Sequence, residues 1–134
     1  MIVRIDHVGI MVADLDAALR FYTETLGLSA GPIETREQPP IRRCCVRVGD
    51  AELELIEARD PEQTMQRLMP YKGPGIYHVG LRVDDVDGEA ARLGAAGVAL
   101  VDTVREGGDM RVQFLHPDAA QGTLIELVTR SKGQ

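Results

Sequence analysis

The sequence predicts an α+β fold built from two tandem βαβββ modules, and two observations lead there. The first is an internal echo: "IDHVGIMVADLDAALRFY" at 5–22 returns as "IYHVGLRVDDVDGEAARL" at 76–93. His7 maps onto His78 (78 − 7 = 71), and Gly9, Asp14 and Asp16 map onto Gly80, Asp85 and Asp87 at the same offset. Further along, "AELELIEA" (51–58) and "GTLIELVT" (122–129) align Glu54 with Glu126 at an offset of 72. The second observation is that each half switches from a period of two to a helical period and back. A duplicated supersecondary unit accounts for both. The organisation is one domain over 1–134, with module one at about 3–58, a connector at 59–74 and module two at about 75–129.

In the first module, alternation over 3–12 puts Val8, Ile10 and Val12 on one strand face and Ile5, His7, Gly9 and Met11 on the other. Asp14 suits an N-cap, Leu15, Ala18, Leu19, Tyr22 and Leu26 recur at helical spacing, and Gly27 is a stop. "LSAGPIETREQPP" reads as a strand running into a loop, with Pro39 and Pro40 interrupting the ladder. "IRRCCVRV", the Gly49-Asp50 turn and "AELELIEA" read as a hairpin. The second module repeats the plan. It has a strand at 75–83, a helix from Asp85 to about Ala96 stopped by Gly97, and strands at 98–104, 109–115 and 122–129. The connector "RDPEQTMQRLMPYKGPG" carries a short helical piece and a Pro/Gly exit.

A chain of 134 residues buries enough surface to fold without a disulfide or structural metal. The net charge of −6 argues against a nucleic-acid or anionic-membrane partner. No apolar run approaches the roughly 18 residues of a membrane span. "MIVRIDHV" enters a strand pattern without a signal-peptide layout, so the cytoplasm is the expected compartment. The adjacent Cys44 and Cys45 form neither a CxxC pair nor a disulfide framework, and free thiols are expected. Arg42, Arg43 and Arg47 offer either a local anion-binding patch or a solvated strand face.

Period two also sets the polar residues apart. Glu54 lies opposite Leu53 and Leu55, Glu126 opposite Ile125 and Leu127, His7 opposite Val8, and His78 opposite Val79. All four therefore project from the face away from the helices. A buried carboxylate is costly unless paired or bound to a cation. Two histidines and two glutamates that are equivalent across a repeat form a self-consistent set. Two modules about a pseudo-twofold axis would bring the set into one cavity. Such an N₂O₂ donor set suits Co, Mn, Ni, Fe or Zn. His116 has no counterpart in the first half and reads as a loop or rim residue.

With these motifs the chain resembles the vicinal oxygen chelate (glyoxalase/bleomycin resistance/dioxygenase) superfamily over about residues 3–129. Within it the sequence is most similar to the methylmalonyl-CoA epimerases. The motifs that carry the likeness are "IDHVGIMVADLDAALRFYTETLG" (5–27), "VGDAELELIEA" (48–58), "GPGIYHVGLRVDDVD" (73–87) and "FLHPDAAQGTLIELV" (114–128). The resemblance implies a glyoxalase-like fold with a curved eight-stranded mixed sheet around a metal cavity, a homodimer, and His7, Glu54, His78 and Glu126 as ligands of one divalent ion, Co²⁺ first, with Mn²⁺, Ni²⁺ or Zn²⁺ as alternatives. It implies a coenzyme A thioester substrate, epimerised by α-proton abstraction through a metal-stabilised enolate. Glu126 is then one proton-transfer group. Glu52, which shares the face of Glu54, is the candidate for the second, with Glu34 and Glu37 also in view. Arg42, Arg43, Lys72 and Arg111 are the candidate coenzyme A contacts. The chain departs from the pattern at two places. Tyr77 stands where epimerases commonly have a second histidine, and strand 41–47 offers no carboxylate where some carry an acid/base. A glyoxalase I-like lactoylglutathione lyase, or a non-catalytic binding or resistance protein of this fold, are the alternatives.

Overall fold

The computed structural model describes residues 1–60, 62–63 and 73–131. Strand β1 (Ile2–Val12) leads to helix α1 (Leu15–Arg20), a wider π-type turn (Phe21–Thr25), and strands β2 (Ser29–Glu37), β3 (Pro40–Val48) and β4 (Ala51–Ala58). The second half runs β5 (Gly75–Val83), α2 (Val86–Ala95), β6 (Leu100–Gly107), β7 (Met110–Leu115), a 3₁₀ turn (Pro117–Ala120) and β8 (Ile125–Arg130). The βαβββ order thus occurs twice. The strands form one eight-stranded mixed sheet in the order β2-β3-β4-β1-β5-β8-β7-β6. β1 pairs with β4, and β5 with β8, in parallel, whereas the outer pairs are antiparallel. Among the described residues no helix is long and apolar enough to cross a membrane.

The chain divides into two compact units, His7–Tyr77 and Met1–Asp6 with His78–Gln134. The division falls inside β1 and β5, so each unit borrows the first residues of the other's leading strand. In the unit His7–Tyr77, Asp14 caps α1 as the sequence predicts, its Oδ1 accepting from Ala17 N at 3.1 Å. Leu15, Cys44, Val46 and Leu55 are buried against Ile10, Val12, Ala18, Leu19 and Tyr22, which forms the layer between helix and strands. Each such aliphatic side chain contributes roughly 1.5–3 kcal/mol on burial. The opposite strand face carries a second cluster of Met11, Ile41, Ile56 and Ala58, with Tyr77 packed on it.

Two local expectations change. The helix over 15–26 is α-helical only to Arg20, and Leu26 N then reaches back to Phe21 O at 3.0 Å, the longer loop of a π turn. The segment before the prolines stays in the ladder. Ser29–Glu37 pairs with β3 through a bulge between Ala30 and Ile33, and Pro40 itself pairs with Glu37. β2 is an edge strand and the prolines sit at its turn, where proline's missing N–H is tolerated.

In the other unit, Asp85 Oδ1 accepts from Gly88 N at 3.1 Å, the same cap at the equivalent position. Val83, Val86 and Leu127 are buried with Leu81, Leu93, Leu115 and Ile125 around them. β6 bulges between Val101 and Arg105, with Asp102 at φ 57°, and the buried Gln113 donates to Val101 O at 2.9 Å, closing the bulge. Asp6 accepts from Arg82 Nε at 2.7 Å and from Arg130 Nη2 at 2.8 Å. The repeat gives this network its counterpart. Met11 maps onto Arg82 (82 − 11 = 71), Asp6 onto Tyr77 (77 − 6 = 71) and Ala58 onto Arg130 (130 − 58 = 72). The apolar cluster of one unit is therefore an ionic cluster in the other.

Candidate metal centre

His7 occupies the middle of β1, and its neighbour Gly9 lies opposite Glu54 in the parallel β1–β4 ladder. His78 and Gly80 stand in the same relation to Glu126 across β5–β8. A histidine two residues before a glycine, with a glutamate across from that glycine, is thus built twice by one register. In each unit the imidazole Nε2 lies 3.8 Å from a carboxylate oxygen, His7 to Glu54 Oε1 and His78 to Glu126 Oε1. Both pairs are largely buried, the histidine side chains 4% exposed and the glutamates 13% and 9%.

The separation fits a shared cation. It exceeds the reach of a good hydrogen bond, about 3.2 Å. It lies inside the roughly 4.2 Å that separates two donors on opposite sides of an ion held at about 2.1 Å. His7 and Glu54, within one unit, each offer a ligand atom of the kind that can hold a metal ion.

The antiparallel register of the β3–β4 hairpin decides which residues share the face of Glu54. Cys45 lies directly opposite it, and Arg43 lies opposite Ile56. Arg43 is buried and turned onto this face, its Nε donating to Glu54 Oε2 at 2.6 Å. Its Nη1 donates to Glu34, and its Nη2 lies 3.1 Å from Cys45 Sγ. Burial works against the charge, but the Glu54 carboxylate, with Cys45 and Glu34, more than offsets it and pushes the guanidinium above its ordinary range. Glu54 therefore presents one oxygen to His7 and the other to Arg43. In the other unit the residue opposite the glutamate is Phe114, whose ring stands edge-on to His78 at 5.7 Å, with Arg105 over it at 5.8 Å.

The remaining sequence candidates separate by face. Glu52 is opposite His7 in the β1–β4 ladder, and Arg47 approaches it at 4.0 Å. Glu37 is 80% exposed and drawn to Arg59. Two proposed coenzyme A contacts lie on the helix side instead. Arg42 donates to Glu57 at 3.1 Å and reaches Asp16 at 3.5 Å, while Arg111 grips Asp87 through Nε and Nη2 at 2.8 and 2.9 Å. They are equivalent fasteners between helix and strand, pointing away from the His–Glu pairs. Arg43 faces the His7–Glu54 pair but is engaged by two carboxylates. Lys72 lies outside the described residues. His116 caps the 3₁₀ turn, its Nδ1 accepting from Asp118 N at 3.1 Å, a loop residue as the sequence predicts. Cys44 and Cys45 are free thiols, also as predicted.

The sequence reading missed Arg43 as the partner of Glu54, although the signal was available. A turn at Gly49-Asp50 pairs residues whose numbers sum to 99 (48 + 51), which sets Cys45 on Glu54 and Arg43 one step along the same face.

Residues 6–114 match the model of the glyoxalase/bleomycin resistance protein/dioxygenase superfamily. The chain belongs to that superfamily. The ethylmalonyl-CoA/methylmalonyl-CoA epimerase of Cereibacter sphaeroides is 30% identical over 132 residues, covering 95% of this chain and 98% of that protein. Among solved structures, the methylmalonyl-CoA epimerase of Mycobacterium tuberculosis superposes with a TM-score of 0.86 at 37% identity, over 96% of this chain and 89% of that one. A methylmalonyl-CoA epimerase in complex with methylmalonyl-CoA and NH₄⁺ superposes at 0.89 with 32% identity, over 98% and 97%.

Proposed function

We propose that the chain is a metal-dependent epimerase of methylmalonyl-CoA or a related 2-substituted malonyl-CoA thioester, acting as a cytoplasmic homodimer. The observation that carries this reading is the twice-built His–Glu pair, at 3.8 Å in each unit. Its likeness to epimerases over nearly its whole length, one of them with methylmalonyl-CoA bound, supports the substrate class. The two free thiols suit a reducing compartment.

His7, Glu54, His78 and Glu126 are the residues that would hold the ion, Co²⁺ first by resemblance, then Mn²⁺, Ni²⁺ or Zn²⁺. When bound, a divalent ion supplies Lewis acidity toward the thioester oxygen, worth several kcal/mol against the charge left by deprotonation. The protein's own residues do the rest. Two imidazoles and two carboxylates arranged in fixed pairs keep the donor set oriented without rearrangement. Glu126 exchanges a proton with one face of the α-carbon, a contribution of roughly 10²–10⁴-fold. Phe114, packed against His78, keeps water from that side of the imidazole. Epimerisation requires a second group for the opposite face, and Glu52, Glu34 and Glu37 are the carboxylates in view.

The test is a pair of assays on protein loaded with Co²⁺ or Mn²⁺. Interconversion of the two methylmalonyl-CoA epimers, with no turnover of the methylglyoxal–glutathione adduct, is the expected result. Turnover of the adduct alone would make the chain a glyoxalase I-like lyase.

A further inference from the structure

The strand at 41–47 carries no carboxylate, so the second proton-transfer group must come from elsewhere on the site face. Register narrows the choice. Glu34 pairs with Arg43 in the β2–β3 ladder, and Arg43 pairs with Ile56, two residues beyond Glu54 on the same face. Arg43 then ties the two glutamates together, donating through Nε to Glu54 and through Nη1 to Glu34. Two carboxylates on one planar guanidinium are held at a fixed spacing by its fork geometry. The Glu34 side chain is 51% exposed, which leaves it open to a substrate. Each candidate has an arginine beside it, Arg36 at 4.0 Å from Glu34, Arg59 at 2.9 Å from Glu37 and Arg47 at 4.0 Å from Glu52, and what sets Glu34 apart is that a second arginine, Arg43, holds it together with Glu54.

We propose that Glu34 is the second proton-transfer group and that Arg43 is its positioning residue, fixing it beside the candidate ligand Glu54. This inference rests on the epimerase reading. From one epimer the Glu34 carboxylate takes the α-proton, and the C–H electron pair moves into the thioester carbonyl. The carboxylic acid of Glu126 then gives a proton to the opposite face, and the electron pair returns to form the new C–H bond. Starting from the other epimer the two residues exchange roles, and solvent restores the protonation of each between turnovers.

The test incubates each methylmalonyl-CoA epimer separately with Mn²⁺-loaded wild type, Glu34→Gln and Glu52→Gln in D₂O. It follows deuterium incorporation and epimer conversion together. For Glu34→Gln the expected result is a fall in conversion of about 100-fold or more, with deuterium still entering one epimer and not the other. Its Mn²⁺ affinity should stay within about twofold of wild type, a readout that collapse of the site would move. One-sided loss in Glu52→Gln with an unaffected Glu34→Gln would overturn the assignment. So would loss of exchange from both epimers in Glu34→Gln. Mn²⁺-loaded wild type that exchanges neither epimer would fail the epimerase reading itself, and the assignment of Glu34 with it.

Discussion

Arg43 and Glu54 are joined by a 2.6 Å hydrogen bond between neighbouring strands, with only 10% and 13% of their side chains exposed. The pair binds a guanidinium to a carboxylate that also faces His7, so the charge balance around His7 and Glu54 depends on it. Removing one partner of a buried pair leaves the other uncompensated. Arg43→Met is therefore expected to destabilise the metal-free protein by about 3 kcal/mol, the low end for such a change because both groups keep some solvent. Added Mn²⁺ should recover part of the loss by taking over Glu54. Urea unfolding with and without the ion measures both. An Arg43→Met protein as stable as wild type would show that the pair is not structural.

The Asp6 network makes a parallel prediction in the other unit. Asp6 has no exposed side chain and holds both Arg82 and Arg130. Asp6→Ala leaves two largely buried guanidiniums facing each other, one of them still near Asp109 at 3.8 Å, and a loss of about 3 kcal/mol is expected in denaturant unfolding. A change at the equivalent position of the apolar cluster, Tyr77→Phe, keeps the packed ring and should lose less than about 1.5 kcal/mol.

These two networks also mark how far the sequence can be read. The faces of His7, Glu54, His78 and Glu126 were legible because a strand's period is two and the repeat supplied a second instance of each pair. The borrowing of Asp6 by one unit and Tyr77 by the other was not, because nothing local in "RIDHV" or "GIYHV" says where a strand passes between units. The carboxylate partners of the arginines were not legible for a related reason. A cation on a strand reads as an anion contact until the register shows which carboxylate stands beside it, and Asp16, Asp87 and Glu54 had already engaged theirs. The prolines at 39 and 40 misled by rule, since only the topology makes β2 an edge strand.

Because Arg111 fastens Asp87 on the helix side, it should be dispensable for the thioester. Both side chains are well exposed, at 40% and 57%. Arg111→Gln should leave stability nearly unchanged and the KM for methylmalonyl-CoA within about twofold. A KM raised tenfold or more would return Arg111 to the substrate.

Acid stability should carry the signature of Glu89. The Arg92 guanidinium first, and the N-terminal amine with it, hold this carboxyl down to about 2 from an ordinary 4.5. A depressed carboxyl contributes stability that is complete above its unfolded value and is lost as the pH falls through the folded one. The urea midpoint of wild type should therefore decline between about pH 4.5 and 2, and Glu89→Gln should show a shallower decline over that window. Parallel declines would mean that the Glu89 pairs do not hold in solution.

The most direct test of the central claim, that the two His–Glu pairs serve proton exchange at a thioester α-carbon, is NMR of that proton in D₂O. Wild type stripped of metal, wild type reloaded with Co²⁺ or Mn²⁺, and reloaded Glu126→Gln would be compared on methylmalonyl-CoA. The account predicts exchange only in reloaded wild type, with Glu126→Gln losing both metal affinity and exchange. Exchange that is indifferent to metal, or that persists in full in Glu126→Gln, would contradict it.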